Sequence, residues 1–198
     1  MQQRSIETRR RIMSAAVKLF ATQGYNVSGV AEICNAAGVS KGAFYYHFPG
    51  KQDLFVAVLE EWLAGLDAEL ERIRDVSGSV TESLLSMTGM MGEVFSQAEG
   101  QLPMFLEFWV QAMRNPEIEA LVIAPYRRYR QFFAGIIQQG IDQGEFADVD
   151  ADMTAGMLVS MAVGYIVQGL GDPDGLDWST QAQRGLERMV RSLERRAG

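Results

Sequence analysis

The chain carries one cysteine and one histidine in 198 residues. Cys34 alone forms no internal disulfide, and with His47 as the only imidazole there is no soft metal-binding set. Cys34 reads as a small buried residue, not a redox sensor, and the expected setting is reducing and cytoplasmic. The opening residues MQQRSIETRRR lack the apolar core of a secretory signal, so export is not expected. Enzyme signatures are missing too, with no Gly-rich phosphate loop, no HExxH and no GxSxG. His47 has no evident nucleophile partner, so the expectation is a non-enzyme with no cofactor and no metal. The acidic run DVDAD at 148–152 fails as a calcium loop, because Met153 stands where glycine is needed and Val159 where glutamate is needed.

Long uncharged runs are scarce, with one exception. The nineteen residues between Asp152 and Asp172 are long enough to span a bilayer. Thr154, Ser160, Gln168 and four glycines interrupt them, and acids flank both ends where an anchor would want lysine or arginine. A buried helix in a bundle or dimer is the expectation, with no membrane role.

Strand alternation is also lacking, and what is present is helical periodicity. The five prolines, at 49, 103, 116, 125 and 173, are each expected near a helix start or in a loop. A first helix over 5–22 has an apolar stripe through Ile12, Ala16, Leu19 and Phe20 and stops at Gly24. Ser28 is the expected N-cap of a second helix, with Val30, Ile33 and Cys34 inward. Gly38 breaks the chain and Ser40 caps a short third helix. Longer helices are expected over 51–75, 80–98, 102–113, 117–144, 151–170 and 179–196. The predicted fold is therefore all-α, about nine helices, with a three-helix helix-turn-helix head over 1–50 and a larger helical body over 51–198.

The net charge of −7 is unevenly divided. Residues 1–51 hold seven lysines and arginines against Glu7 and Glu32, a net of +5, while the remainder holds eleven against twenty-three acids, a net of −12. A basic head suits phosphates, and an acidic body repels them and orients the approach.

The stretch GVSKGAFYYHFPGK at 38–51 concentrates this asymmetry. Phe44 and Phe48, four apart, share one face of a short helix and leave Tyr45, Tyr46 and His47 displayed. In a helix-turn-helix this helix enters the major groove. Ser40 and first-turn N–H groups suit a phosphate, Gly42 and Ala43 let the backbone come close, and Lys41 reaches phosphate or guanine. Tyr45, Tyr46 and His47 suit phosphates or thymine methyls, and Lys51 at the next helix start suits a phosphate clamp. Packing is the competing reading for Tyr45 and His47, and a plain surface position for Lys41 and Lys51.

With these residues in place, the segment from ETRRR to KQDLF resembles the N-terminal domain of the TetR family of bacterial transcriptional regulators. The resemblance rests on Leu19, Phe20, Gly24 and Tyr25, on AGVSKG, and on FYYHF followed by Lys51. It implies a homodimer that binds palindromic double-stranded operator DNA, most often as a repressor, and releases it when a small molecule occupies the body. It also implies DNA contacts at Ser28, Lys41, Gly42, Tyr45, Tyr46, His47 and Lys51. Gly29 and Val30 depart from the longer polar residues of many relatives. The implied mechanism is a population shift in which the ligand moves the helix beginning at Lys51.

In the body, methionines and aromatics concentrate between 87 and 133. Met87, Met91, Phe95, Phe105, Phe108, Trp109, Tyr126, Tyr129, Met161 and Tyr165 are candidate lining of an adaptable cavity for a hydrophobic or amphipathic effector. Plain core is the competing reading for each. Glu107 and Gln111 either orient a ligand or face solvent, and Arg127, Arg128 and Arg130 either meet an anionic group or are solvated. Gly156, Ser160 and Gly164, with the stripe Leu186, Met189, Val190 and Leu193, point to dimerisation through the last two helices. The alternative to a regulator is a helical ligand-binding or protein-interaction module that does not read DNA.

Overall fold

The computed structural model describes residues 2–96, 102–114 and 116–195, and within them the side chains at 2, 93, 94, 96, 102–105, 117, 121 and 122 lie outside that description. The described residues form nine helices: α1 (Gln2–Gln23), α2 (Val30–Ala37), α3 (Lys41–His47), α4 (Lys51–Val76), α5 (Val80–Ser96), α6 (Leu102–Ala112), α7 (Pro116–Asp142), α8 (Ala151–Gly171) and α9 (Trp178–Leu193). Among them the only extended pairing is an isolated bridge between Phe146 and Glu194.

The chain packs as two compact units, Met1–Gly65 with Glu99–Val122, and Leu66–Ala98 with Ile123–Gly198. The division runs through α4 beside Gly65 and through α7 within one turn of Pro125, whereas the sequence reading placed its boundary at residue 50. Pro125 is a correction to that reading, since it lies inside α7 and not at an edge. An interior proline removes one ladder hydrogen bond, and glycine weakens a helix interior. Both long helices are thus locally weakened where packing changes hands.

In the first unit, the apolar face of α1 buries Ile12, Ala16 and Phe20 completely or almost so. Phe20, Tyr25 and Phe55 form a ring cluster with centroids 5.4, 5.7 and 4.5 Å apart. Cys34 is buried, as its position on the inner face of α2 requires, and burial pushes its thiol up. Phe44 and Phe48 are 0% and 2% exposed, so the pair four residues apart fixes which way α3 faces. Each such ring contributes about 1.5–3 kcal/mol by leaving water.

In the second unit, α9 packs mainly on α5 and next on α8. Leu186, Val190 and Leu193 are buried there within the same chain. Three of the four stripe residues expected at a partner are thus covered within the chain, where α9 packs on α5 and α8, while Met189 is half-buried. Helix α8 has the length and apolar composition of a membrane span. One side of it buries Ala155, Leu158 and Ile166, while Met153, Met157 and Val167 are exposed. Helix starts are tied down from a distance as well as locally. Glu145, after α7, accepts hydrogen bonds from the Val80 and Thr81 N–H groups at 3.1 and 2.9 Å and from the Thr81 hydroxyl at 2.8 Å.

Candidate nucleic-acid interface

The turn between α2 and α3 is set by Gly38, whose φ of +64° lies in the left-handed region. Its N–H donates to Asn35, and the Val39 N–H donates to Cys34 at 2.9 Å, closing the helix end. Arg11 of α1 donates to the Ala37 and Gly38 carbonyls at 2.5 and 2.9 Å, a cation at a helix C-terminus. A side chain at Gly38 would come within 2.8 Å of that guanidinium. The sequence reading missed Arg11, whose role depends on a contact 27 residues away.

Ser40 starts α3, its hydroxyl accepting the Ala43 N–H at 3.1 Å, as the sequence indicates. With both phenylalanines inward, Lys41 and Gly42 are exposed, Tyr45 is 54% and Tyr46 is 78% exposed, and Ala43 and His47 are half-buried. Packing therefore does not claim Tyr45. Its ring meets that of Phe44 edge to face at 5.3 Å, and His47 lies between Tyr46 and Phe48. Arg9 stacks on Phe48 at 5.2 Å, adding α1 charge beside the end of α3.

Ser28 and Lys51 behave differently from expectation. Ser28 is fully buried and its hydroxyl donates to the Gly24 carbonyl at 2.9 Å. It is not the N-cap of α2, which is Gly29 with no side-chain cap bond. A short hydroxyl in a turn can satisfy a nearby carbonyl as readily as a helix end. Its side chain is closed to DNA in this arrangement. Lys51 is half-buried, and its ammonium donates to the Tyr25 carbonyl at 2.7 Å and lies 4.3 Å above the Tyr25 ring. Burial holds its pKa below the usual lysine range, with Glu107 opposing.

The body candidates divide between the units. Phe108 is buried and Trp109 half-buried in the first unit, and the Phe105 side chain lies outside the described residues. In the second unit Met87 and Met91 are buried, and Phe95, Tyr126, Tyr129, Met161 and Tyr165 are half-buried. Phe95 and Tyr165 fill the space above glycines, since a methyl at Gly169 or Gly185 would strike the first ring or the second hydroxyl. The Tyr129 hydroxyl is buried beside the Arg128–Asp67 ion pair, and among the described residues no hydrogen bond of normal geometry satisfies it. Burial, then the Asp67 carboxylate, push this phenol well up. Arg128 donates to Asp67 at 2.7 Å, while Arg127 and Arg130 are exposed. Gln111 is buried and donates to Glu107 at 2.8 Å.

A short capped helix with an aromatic, cationic outer face, docked through a glycine turn on two supporting helices, defines a helix-turn-helix DNA-binding regulator. Known proteins share this arrangement. Residues 12–58 match the family model of bacterial regulatory proteins, tetR family, and residues 87–195 match that of the BetI-type transcriptional repressor, C-terminal. The chain belongs to the TetR family of transcriptional regulators. It is 28% identical to the HTH-type transcriptional regulator UidR of Escherichia coli K12 over 197 residues, spanning 96% of this chain and 94% of that protein. Its fold matches a transcriptional regulator from Saccharomonospora viridis in complex with choline at a TM-score of 0.86 and 26% identity, covering 96% of this chain and 99% of that one. It also matches the fatty acid degradation regulator FadR from Bacillus halodurans at a TM-score of 0.83, 19% identity and coverage of 96% and 97%.

Proposed function

We propose that this regulator is a cytoplasmic repressor that binds a palindromic operator as a homodimer and leaves it when a small effector occupies the helical body. The observation that carries the DNA half is the outer face of α3, where Lys41, Gly42, Tyr45 and Tyr46 stand clear of a core that takes Phe44 and Phe48. Lys41 and Lys51 meet phosphates, Gly42 and Ala43 allow close approach, and Tyr45, Tyr46 and His47 contact backbone and thymine methyls. The exposed apolar side of α8, Met153, Met157 and Val167, is the surface that supports dimerisation.

The effector is small and amphipathic, with a cationic group as the version best supported. The choline bound by the similar Saccharomonospora viridis protein favours a quaternary ammonium. So do the acidic body and the half-buried Tyr126, since aromatic faces attract such cations; the Tyr129 face is already met by the Arg128 guanidinium at 5.4 Å. Selecting fragments of host genomic DNA on the purified protein tests the DNA reading. Enrichment of fragments sharing an inverted repeat is expected, and enrichment of none contradicts it. A thermal-shift panel of choline, fatty acids and aromatic compounds tests the effector, with stabilisation by the ammonium compound expected.

A further inference from the structure

Helix α6 lies in the segment matched to the C-terminal family model, yet it packs in the same unit as the helix-turn-helix. Phe108 of α6 meets Phe55 at 4.4 Å, and Phe55 meets Tyr25 at 4.5 Å. These rings set α6 against the α1–α2 turn and bring the neighbouring Glu107 to it. A methyl group at Gly24 would lie 3.8 Å from Glu107 Oε2. The other carboxylate oxygen accepts from buried Gln111 at 2.8 Å, which fixes its orientation. Lys51 reaches the same turn from α4, its Nζ 2.7 Å from the Tyr25 carbonyl and 3.5 Å from that of Asn26. The ammonium is thus turned toward the same turn that Glu107 approaches and is committed to a carbonyl.

We propose that Glu107 is a positioning residue of the DNA-binding head, competing with DNA phosphate for the Lys51 ammonium and so tying DNA affinity to the placement of α6. This rests on the reading above that Lys51 meets phosphate. To reach a phosphate, Lys51 must loosen its hold on the turn, and the nearby carboxylate opposes that move. Charges at a partly buried site are screened by salt less than surface charges are. Electrostatics support the link: burial lowers the Lys51 ammonium and raises the Tyr25 phenol, Asp53 raises the phenol further, and Glu107 acts to raise both. Any shift of α6 changes the distance from carboxylate to ammonium, and with it the charge the head presents.

The test is fluorescence anisotropy of the full-length protein on a mixed-sequence duplex long enough for two half-sites, across a salt series. Glu107→Gln keeps the shape and the Gln111 contact but removes the charge. It is expected to tighten binding about three- to tenfold and to steepen the salt dependence by about 0.9 for each additional phosphate neutralised. In a Lys51→Met background the same change is expected to do nothing, which a purely structural role for Glu107 would not produce. Should the glutamine variant melt early, Glu107→Ala serves with the same expected sign. Unchanged or weakened binding, or a tightening that persists without Lys51, overturns the proposal. A wild-type protein that binds this duplex but enriches no genomic fragment contradicts the operator reading, while the Glu107–Lys51 coupling is still measured. Binding to no duplex at all overturns both.

Discussion

Helices α3 and α8 both leave large side chains in water, and the difference between them separates two kinds of partner. Helix α3 exposes Tyr45 and Tyr46, rings that end in a hydroxyl, beside Lys41. Helix α8 exposes Met153, Met157 and Val167, whose side chains are apolar, with Ser160 among them. An amphipathic, cationic face suits a polyanion with grooves, whereas a mainly apolar one suits another apolar helix. The two faces also differ in support. Both helices start on a side-chain cap, Ser40 for α3 and Asp150 for α8, but the α3 face is fixed besides by a left-handed glycine and two buried phenylalanines, and α8 by its one buried side.

Removing the α3 face is expected to have the largest effect. Lys41→Ala with Tyr45→Ala should weaken DNA binding about a hundredfold or more in anisotropy titrations, since each loss counts in both half-sites. Melting temperature should hardly move, because both side chains are exposed. Charging the α8 face should do the reverse to assembly. Met153→Asp with Met157→Asp is expected to raise the dimer dissociation constant about thirtyfold, read by light scattering, with DNA binding weakening in step.

A smaller effect is expected at Gly38, where φ is +64°. Gly38→Ala should cost about 1–2 kcal/mol in denaturant unfolding from the left-handed backbone alone. Crowding against Arg11 adds to that cost. The smallest effect belongs to Glu145, in the unit of α8. Burial works to raise its carboxyl, but the Thr81 and Val80 hydrogen bonds outweigh it and hold the pKa below the ordinary value. A carboxylate depressed in the folded state stabilises above its unfolded pKa and loses that contribution as pH falls through the folded one. Glu145→Gln should therefore lower stability by about 1 kcal/mol at neutral pH, and the gap from wild type should close on acidification in thermal melts.

What could be read from the sequence was what depends on near neighbours. The spacing of Phe44 and Phe48 set the facing of α3, Ser40 marked its start, and Gly38 marked the turn. Where two local choices compete, tertiary packing decided. Ser28 and Gly29 both suit a helix start, and burial of the Ser28 hydroxyl against Gly24 left the cap to glycine. An apolar stripe tells that a face is covered but not by what, so Leu186, Met189, Val190 and Leu193 pointed to a partner chain, while the chain's own packing of α9 on α5 and α8 buries all but Met189. Arg11, Glu107 and Glu145 act on residues 26 to 83 positions away, where no periodicity reaches.

The most direct measurement is hydrogen–deuterium exchange of the full-length protein with and without an enriched genomic duplex. Protection is expected over α2, the Gly38 turn and α3, with α8 unchanged, since the proposed assignment gives its face to a second copy and not to DNA. Exchange in α3 that is the same with and without DNA, or protection centred on α8, would contradict the assignment of these two faces.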